Sequence, residues 1–276
     1  VTTNTPISGA VASAAAPVGV PAAIIQPAAA GVPGEPQPQR AAAEFDLHQD
    51  GARAMTTTKV PSTSPAEYLS DTPAAVDVLD SELLVHGRVW DVRRDRFTFG
   101  DSELVRDYID HTGAVAVLAL DDQDRVLVMR QYRHPVARRD IEIPAGLMDA
   151  PGESGLAGAQ RELAEEADLA ANRWDLLLDL FLSPGGSSET MRIFLARDLC
   201  PTTHDFVREG EEAELQPEWV PLDDAVAAAL AGRIGNSVTV SAVLAAYAAR
   251  EAGWATLRDP KTPWEFREGV RGERSR

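Results

Sequence analysis

The sequence predicts one α/β domain, with helices packed on a mixed sheet, in the C-terminal three quarters of a 276-residue chain. Three observations carry this. Short β-rich runs punctuated by Gly, Pro and Asp recur from about Val76 onward. Three helical segments are inserted among them or follow them, the combination expected of helices covering a sheet. Residues 1–40, in contrast, carry only Glu35 and Arg40 as charged groups and hold seven of the 19 prolines, among long Ala runs. So little large apolar surface cannot offset the entropy of ordering, and residues 1–75 read as a disordered Ala/Pro-rich tail ahead of a domain over 76–276.

The elements follow in order. Leu83–Val92 reads as a strand around Gly87, and Arg94–Phe99 as a second with alternating character. Gly113–Leu120 and Arg125–Gln131 are β-rich runs joined by the acidic turn Asp121–Asp124, which predicts a hairpin. Ile141–Ile143 is a short strand stopped by Pro144-Ala145-Gly146. A helix is expected over Gly155–Ala167, with Leu156, Ala159, Leu163 and Ala167 on one inward face. Strands follow near Leu176–Leu182, Met191–Leu199 and Glu218–Pro221, then helices over Asp223–Ala231 and from an Asn236 or Ser237 N-cap to about Gly253. Trp90 and Phe181 are expected in the core.

Composition excludes several function classes. With 26 Lys plus Arg against 43 Asp plus Glu, the net charge of -17 argues against binding nucleic acid or an anionic membrane, both of which need positive surface. Residues 41–75 carry -3 of it, so the domain carries -14. An anionic small molecule stays compatible, because a local Arg cluster or bound cations reverse the field inside one cleft. The apolar run Gly9–Ile25 lacks a preceding Lys or Arg and is broken by Pro17 and Pro21, unlike a signal peptide or membrane span. The single Cys200 cannot form an intrachain disulfide, so a cytoplasmic location is the default. Met55, the first Met, is a candidate true start.

The chemistry concentrates in Gly146–Leu169. Glu162, Glu165 and Glu166 cluster on the helix, Glu162 and Glu166 as i,i+4 neighbours whose like charges repel. Arg161 can pair with Glu165, and a hard divalent cation can bind the clustered oxygens; a solvated acidic face is the alternative. Arg161-Glu162-Leu163-Ala164-Glu165-Glu166, with Glu153 eight positions before Arg161, resembles the Nudix box G-x5-E-x7-R-E-U-x-E-E-x-G-U, where U is aliphatic. There are two departures. Six residues, not five, separate Gly146 from Glu153, and Asp168 stands where the box has Gly. Neither removes a carboxylate, so activity is expected.

The flanks narrow the resemblance. Arg130-Gln131-Tyr132-Arg133-His134-Pro135 and Ile141-Glu142-Ile143-Pro144-Ala145-Gly146-Leu147 are similar to the segment before the box in ADP-ribose pyrophosphatases, and Pro184, fifteen positions beyond Leu169, resembles the proline of that subfamily. The resemblance implies a Nudix α/β/α sandwich with an N-terminal β extension, and Mg2+-dependent (alternatively Mn2+-dependent) hydrolysis of ADP-ribose to AMP and ribose 5-phosphate. It implies metal ligation by the Ala145 carbonyl, Glu162, Glu166 and Glu165. It implies a catalytic base at Glu212, with Glu211 or Glu165 as alternatives. Arg133 would clamp phosphate, Glu142 would orient Arg133 or the terminal ribose, and Arg106 is a weaker substrate-binding candidate. It further implies a homodimer built through the N-terminal strands. Another nucleotide sugar or dinucleotide as substrate, and a non-catalytic ADP-ribose-binding regulator, are the rival readings.

Overall fold

In the computed structural model the described residues are 69–203, 208 and 214–272. The tail through residue 68, Met55, Glu211 and Glu212 lie outside them. Ten strands and four helices are described. An antiparallel three-stranded meander comes first: β1 (Val78–His86), β2 (Asp91–Phe99) and β3 (Ser102–Asp110). The central four-stranded sheet has the order β7 (Ala145–Leu147), β4 (Ala114–Ala119), β9 (Thr190–Pro201), β8 (Leu169–Phe181), and it is mixed because β4 runs parallel to β9. A third sheet has the order β10 (Gln216–Pro221), β5 (Arg125–Arg133), β6 (Arg138–Glu142). The helices are α1 (Gly155–Ala167), α2 (Leu222–Leu230), α3 (Ser237–Glu251) and α4 (Glu265–Gly272).

Strand β4 shows why these layers form. All six of its residues are buried, so both faces must be covered. Ala114, Ala116 and Leu118 pack with Leu222, Ala225 and Val226 of α2 and with Val238, Ala242, Val243 and Ala246 of α3. Val115, Val117 and Ala119 face the other way, onto Ala159 and Leu163 of α1 and onto Trp264. The result is an α/β/α sandwich. Leu163 and Leu118 are fully buried, each stabilising the fold by about 1.5–3 kcal/mol relative to exposure.

Helix α1 covers the predicted span. Ser154 caps its start by accepting from the Ala157 N–H, and Asp168 ends it in the left-handed conformation at φ 57°, donating its N–H to Ala164 and Leu163. Asp there costs more than Gly would. Its carboxylate accepts from Arg208 at 2.9 Å, an exposed contact worth about 0–1 kcal/mol. Asp168→Gly is therefore expected to raise stability slightly, by about 0.5 kcal/mol, read as a higher urea midpoint at unchanged slope. A lower midpoint would show that the Arg208 contact outweighs the backbone strain.

Four expectations are corrected. The span Leu83–Val92 is not one strand: Gly87–Trp90 forms the turn between β1 and β2, and a Cβ on Gly87 would lie 2.1 Å from the Trp90 carbonyl oxygen. Strands β4 and β5 are not a hairpin. They belong to different sheets and meet only at the isolated bridge Leu120–Val126, beside a turn that Asp121 holds by accepting from Arg125. Strand β3 and helix α4 add to the expected elements. Trp90 and Phe181 are 43% and 38% exposed, so neither is core; Trp90 stacks on His111, and Phe181 stacks on Phe266 of α4.

Candidate active site

Packing α1 against β7 creates the site. Apolar Ala159 and Leu163 anchor the helix, and the face beside them carries Glu162 and Glu166 to the backbone of Ala145–Gly146. The Ala145 N–H donates to Glu166 Oε2 at 2.9 Å. Glu162 lies so close to β7 that a Cβ on Gly146 would fall 1.9 Å from its Oε1, which explains a glycine here. Both carboxylates are buried, each only 8% exposed.

Arg161 offsets the repulsion among these acids. It donates from Nε and Nη2 to both oxygens of Glu153 at 3.0 and 3.1 Å, and from Nη1 to Glu162 at 2.6 Å and Glu165 at 3.0 Å. The hydrogen bonds that Glu153 accepts from it, above all, raise the Arg161 pKa further above its already high ordinary value. The donor chemistry fits a hard divalent cation: carboxylate oxygens on one helix, a backbone carbonyl at the facing strand end, and a glycine cradle between them. Among the described residues no three His, Cys, Asp or Glu side chains stand at ligating geometry, and Arg161 pairs with Glu153, Glu162 and Glu165. Waters and substrate phosphates would complete such a site.

A cavity of about 320 Å³ adjoins β7 and is lined by Arg133, Glu142, Ala145, Glu189, Asn236 and other residues. Arg133 ends β5 opposite Arg138, and its side chain meets that of Glu142, which ends β6 opposite Met129. The guanidinium donates from Nε to Glu142 Oε1 at 2.7 Å and from Nη2 to Oε2 at 2.6 Å. Glu142 is 5% exposed, so this fork fixes the plane in which Arg133 meets the cavity. His134, for which the sequence offers no partner, shares a hydrogen bond with the Tyr132 hydroxyl at 3.1 Å.

Arg106 is not brought to this cavity within the chain. It sits on β3, donates to the Val105 carbonyl, and lines a separate cavity of about 450 Å³ with Asp95, Tyr108 and Pro184–Ser188. A third cavity, of about 570 Å³, lies between the start of α1 and Pro260–Glu268 and contains neither Arg133 nor Glu142. It is larger, but the smaller cavity is the one that carries the Arg133–Glu142 fork and Ala145, whose N–H donates to Glu166. Glu165 is partly buried on Arg161. Of the described residues nearest to Glu212 in sequence, Arg208 donates to the Glu165 carbonyl at 2.7 Å, and Glu214 accepts from Arg139 at 3.0 Å.

Sequence reasoning missed Glu189. It follows the Pro184–Ser188 turn and lines the Arg133 cavity, with burial holding its carboxyl above the ordinary range. Only its position directly after that turn could have drawn notice. Because the folded chain holds this proton more tightly than the unfolded chain, ionisation costs stability as pH rises above the ordinary carboxyl range. Glu189→Gln should therefore be more thermostable than the unchanged protein near pH 8, with the gain fading as pH falls to about 4. Melting temperatures across that range check this, and a gain that grows toward low pH would contradict it.

The chain is similar to several known proteins. The NUDIX domain matches residues 110–239. An ADP-ribose pyrophosphatase from Mycobacterium tuberculosis is 38% identical over 193 residues, 68% of this chain and 90% of that relative. An ADP-ribose pyrophosphatase from Bacillus subtilis is 36% identical over 122 residues, 44% of this chain and 64% of that relative. A crystal structure of an ADP compounds hydrolase superposes with a TM-score of 0.57 at 24% identity, over 67% of this chain and 98% of the other, which shows a shared fold.

Proposed function

Because the chain belongs to the Nudix family, we propose that it hydrolyses the pyrophosphate of ADP-ribose to AMP and ribose 5-phosphate. The observation that carries the reading is the pair Glu162 and Glu166 held against Ala145–Gly146 beside the Arg133–Glu142 fork. The names of the two curated relatives support the substrate.

Glu162, Glu166, Glu165 and the Ala145 carbonyl would hold Mg2+, or alternatively Mn2+. When bound, the ion neutralises diphosphate charge and lowers the pKa of an attacking water. Arg133, oriented by Glu142, grips phosphate oxygens and fixes the diphosphate relative to the helix. Water attacks one phosphorus, the P–O–P bond breaks, and the water proton passes to a carboxylate. We assign that base to Glu212, which precedes β10 in the sequence and lies outside the described residues. Glu211 and Glu165 are the alternatives. Comparing Glu212→Gln with Glu211→Gln and Glu165→Gln decides among them, since the base's variant loses the most kcat at little-changed KM.

Assembly as a homodimer is part of the same reading. Val78, Leu83 and Val85 of β1, Phe99 of β2 and Val105 of β3 are between 47% and 63% exposed, more apolar surface than an isolated sheet needs. A partner packed there would also bring Arg106 toward substrate. A monomeric mass at micromolar concentration would refute the dimer. Among the described residues no helix is long and apolar enough to cross a membrane. With the lone Cys200 and the acidic charge, this supports a cytoplasmic enzyme that engages neither membrane nor nucleic acid. Assaying ADP-ribose beside a nucleotide sugar and a dinucleotide tests the substrate; preference for either of the latter would move the assignment within the family.

A further inference from the structure

Strand β7 carries the Ala145 carbonyl, yet it is three residues long and lies at the edge of the central sheet. So short an edge strand makes few ladder bonds and opens locally at little cost. Its two ends are pinned. Before it, the Pro144 carbonyl accepts from the Val117 N–H at 2.8 Å; after it, the Met148 N–H donates to the Gly113 carbonyl at 3.0 Å. Arg267 of α4, beyond the residues 110–239 that the NUDIX domain matches, reinforces the second pin. Its guanidinium donates from Nε to the Thr112 carbonyl at 3.2 Å and from Nη2 to the Met148 carbonyl at 3.1 Å. One rigid plane thus bridges the lead-in to β4 and the exit from β7. A Cβ on Gly113, which sits at φ 83°, would fall 3.3 Å from Arg267 Nε, so a glycine leaves the guanidinium its passage. The same segment meets the helix side of the site. Trp264, 7% exposed, packs in one cluster with Ala159 and Leu163 of α1, and a Cβ on Gly155 would meet its ring at 3.4 Å. Arg192 of β9 fastens this segment by donating to the Thr262 and Pro263 carbonyls at 2.7 and 3.0 Å. Met148 completes the frame, since a Cβ on Gly158 of α1 would fall 2.9 Å from its sulfur.

We propose that Arg267 is a positioning residue for the divalent-ion site: by holding the Met148 and Thr112 carbonyls it fixes the Ala145 carbonyl relative to Glu162 and Glu166. Arg267 lines a different cavity from Arg133 and Ala145, and so acts through β7. Contacts that orient a metal ligand from outside its coordination sphere are costly to lose, typically about 10–100-fold in metal affinity. The proposal rests on the metal-site reading above.

Comparing Arg267→Met with Arg250→Met in the full chain tests it. Arg250 ties α3, in the layer opposite α1, to Asp124 and Asp223, so its loss weakens the fold without touching β7. In metal-free protein, exchange of the Ala145 N–H followed by NMR should quicken about 10-fold in Arg267→Met. It should stay unchanged in Arg250→Met, because local opening of β7 leaves the Arg250 contacts intact. Mn2+ binding, followed by electron paramagnetic resonance, should weaken about 10-fold in Arg267→Met and not in Arg250→Met. With ADP-ribose, half-saturating Mg2+ should rise by a similar factor while kcat at saturating Mg2+ stays within about 3-fold. Should Arg267→Met fail to fold, Arg267→Lys, which offers the carbonyls a point charge in place of a fork, should show the same shifts in smaller measure. Ala145 exchange and Mn2+ affinity that stay unchanged in the folded Arg267 variant, or that shift equally in Arg250→Met, overturn the proposal. An unchanged protein that binds no Mn2+ would instead sink the metal-site reading, while Ala145 exchange decides the grip of Arg267 on β7 by itself.

Discussion

Glu166→Gln is expected to lower kcat by about 10³-fold while the protein stays folded. The substitution separates chemistry from architecture. The glutamine carbonyl oxygen can keep the hydrogen bond that Ala145 N–H donates to Glu166, so the contact between α1 and β7 survives. What disappears is one negative charge beside Glu162, in a place only 8% exposed. Losing that charge relieves an i,i+4 repulsion, so the melting temperature should hold or rise slightly. Hydrolysis, in contrast, loses a carboxylate that would help hold the divalent ion, whose positive charge would offset that of the diphosphate. Steady-state kinetics and thermal melts on the same sample check both halves. Turnover within about 10-fold of the unchanged protein would mean that the carboxylate pair is not the chemical centre.

Arg133→Lys should lower kcat/KM by about 10²-fold, mostly through KM, although the charge is conserved. A guanidinium can hold both oxygens of Glu142 through Nε and Nη2 while its outer edge faces the cavity. An ammonium offers one point of contact and no plane, so it cannot satisfy the buried carboxylate and present a fork to phosphate together. Glu142, 5% exposed, would then be left partly unsatisfied, at a cost of about 1–3 kcal/mol. A lowered urea midpoint together with the raised KM is the expected signature. Unchanged kinetics with lowered stability would make the pair purely structural.

Legibility in the sequence differed from element to element for physical reasons. Helix α1 was readable to the residue because one stretch carries an N-cap at Ser154, a periodic apolar face and a C-terminal Asp168 able to adopt positive φ. The carboxylates were readable because a helix fixes their spacing and hence their common face. The turn at Gly87–Trp90 was hidden because Val89 and Trp90 continue an apolar run, and their exposure has no local signature. Strand β3, SELVRDYID, was hidden for the opposite reason, having no apolar run; it is held by its ladder to β2 and by Arg94, which forks onto Asp107. The false hairpin arose because adjacency and a turn are local signals, whereas β4 pairs with β7 and β9 to bury both of its faces. The Arg133–Glu142 fork was half legible. Both residues flank strands, but their alignment depends on the register of β5 with β6, in which Met129 pairs with Glu142. Met148 and Arg267 lie 119 positions apart, and only the fold brings them together.

Incubating the full chain with ADP-ribose, with and without Mg2+, and resolving the phosphate products tests the central claim most directly. The account predicts AMP and ribose 5-phosphate in equal amounts, formed only with the divalent ion and lost in Glu166→Gln. Intact ADP-ribose under conditions where another nucleoside diphosphate derivative is cleaved, or the same products formed equally well without a divalent ion, would contradict it.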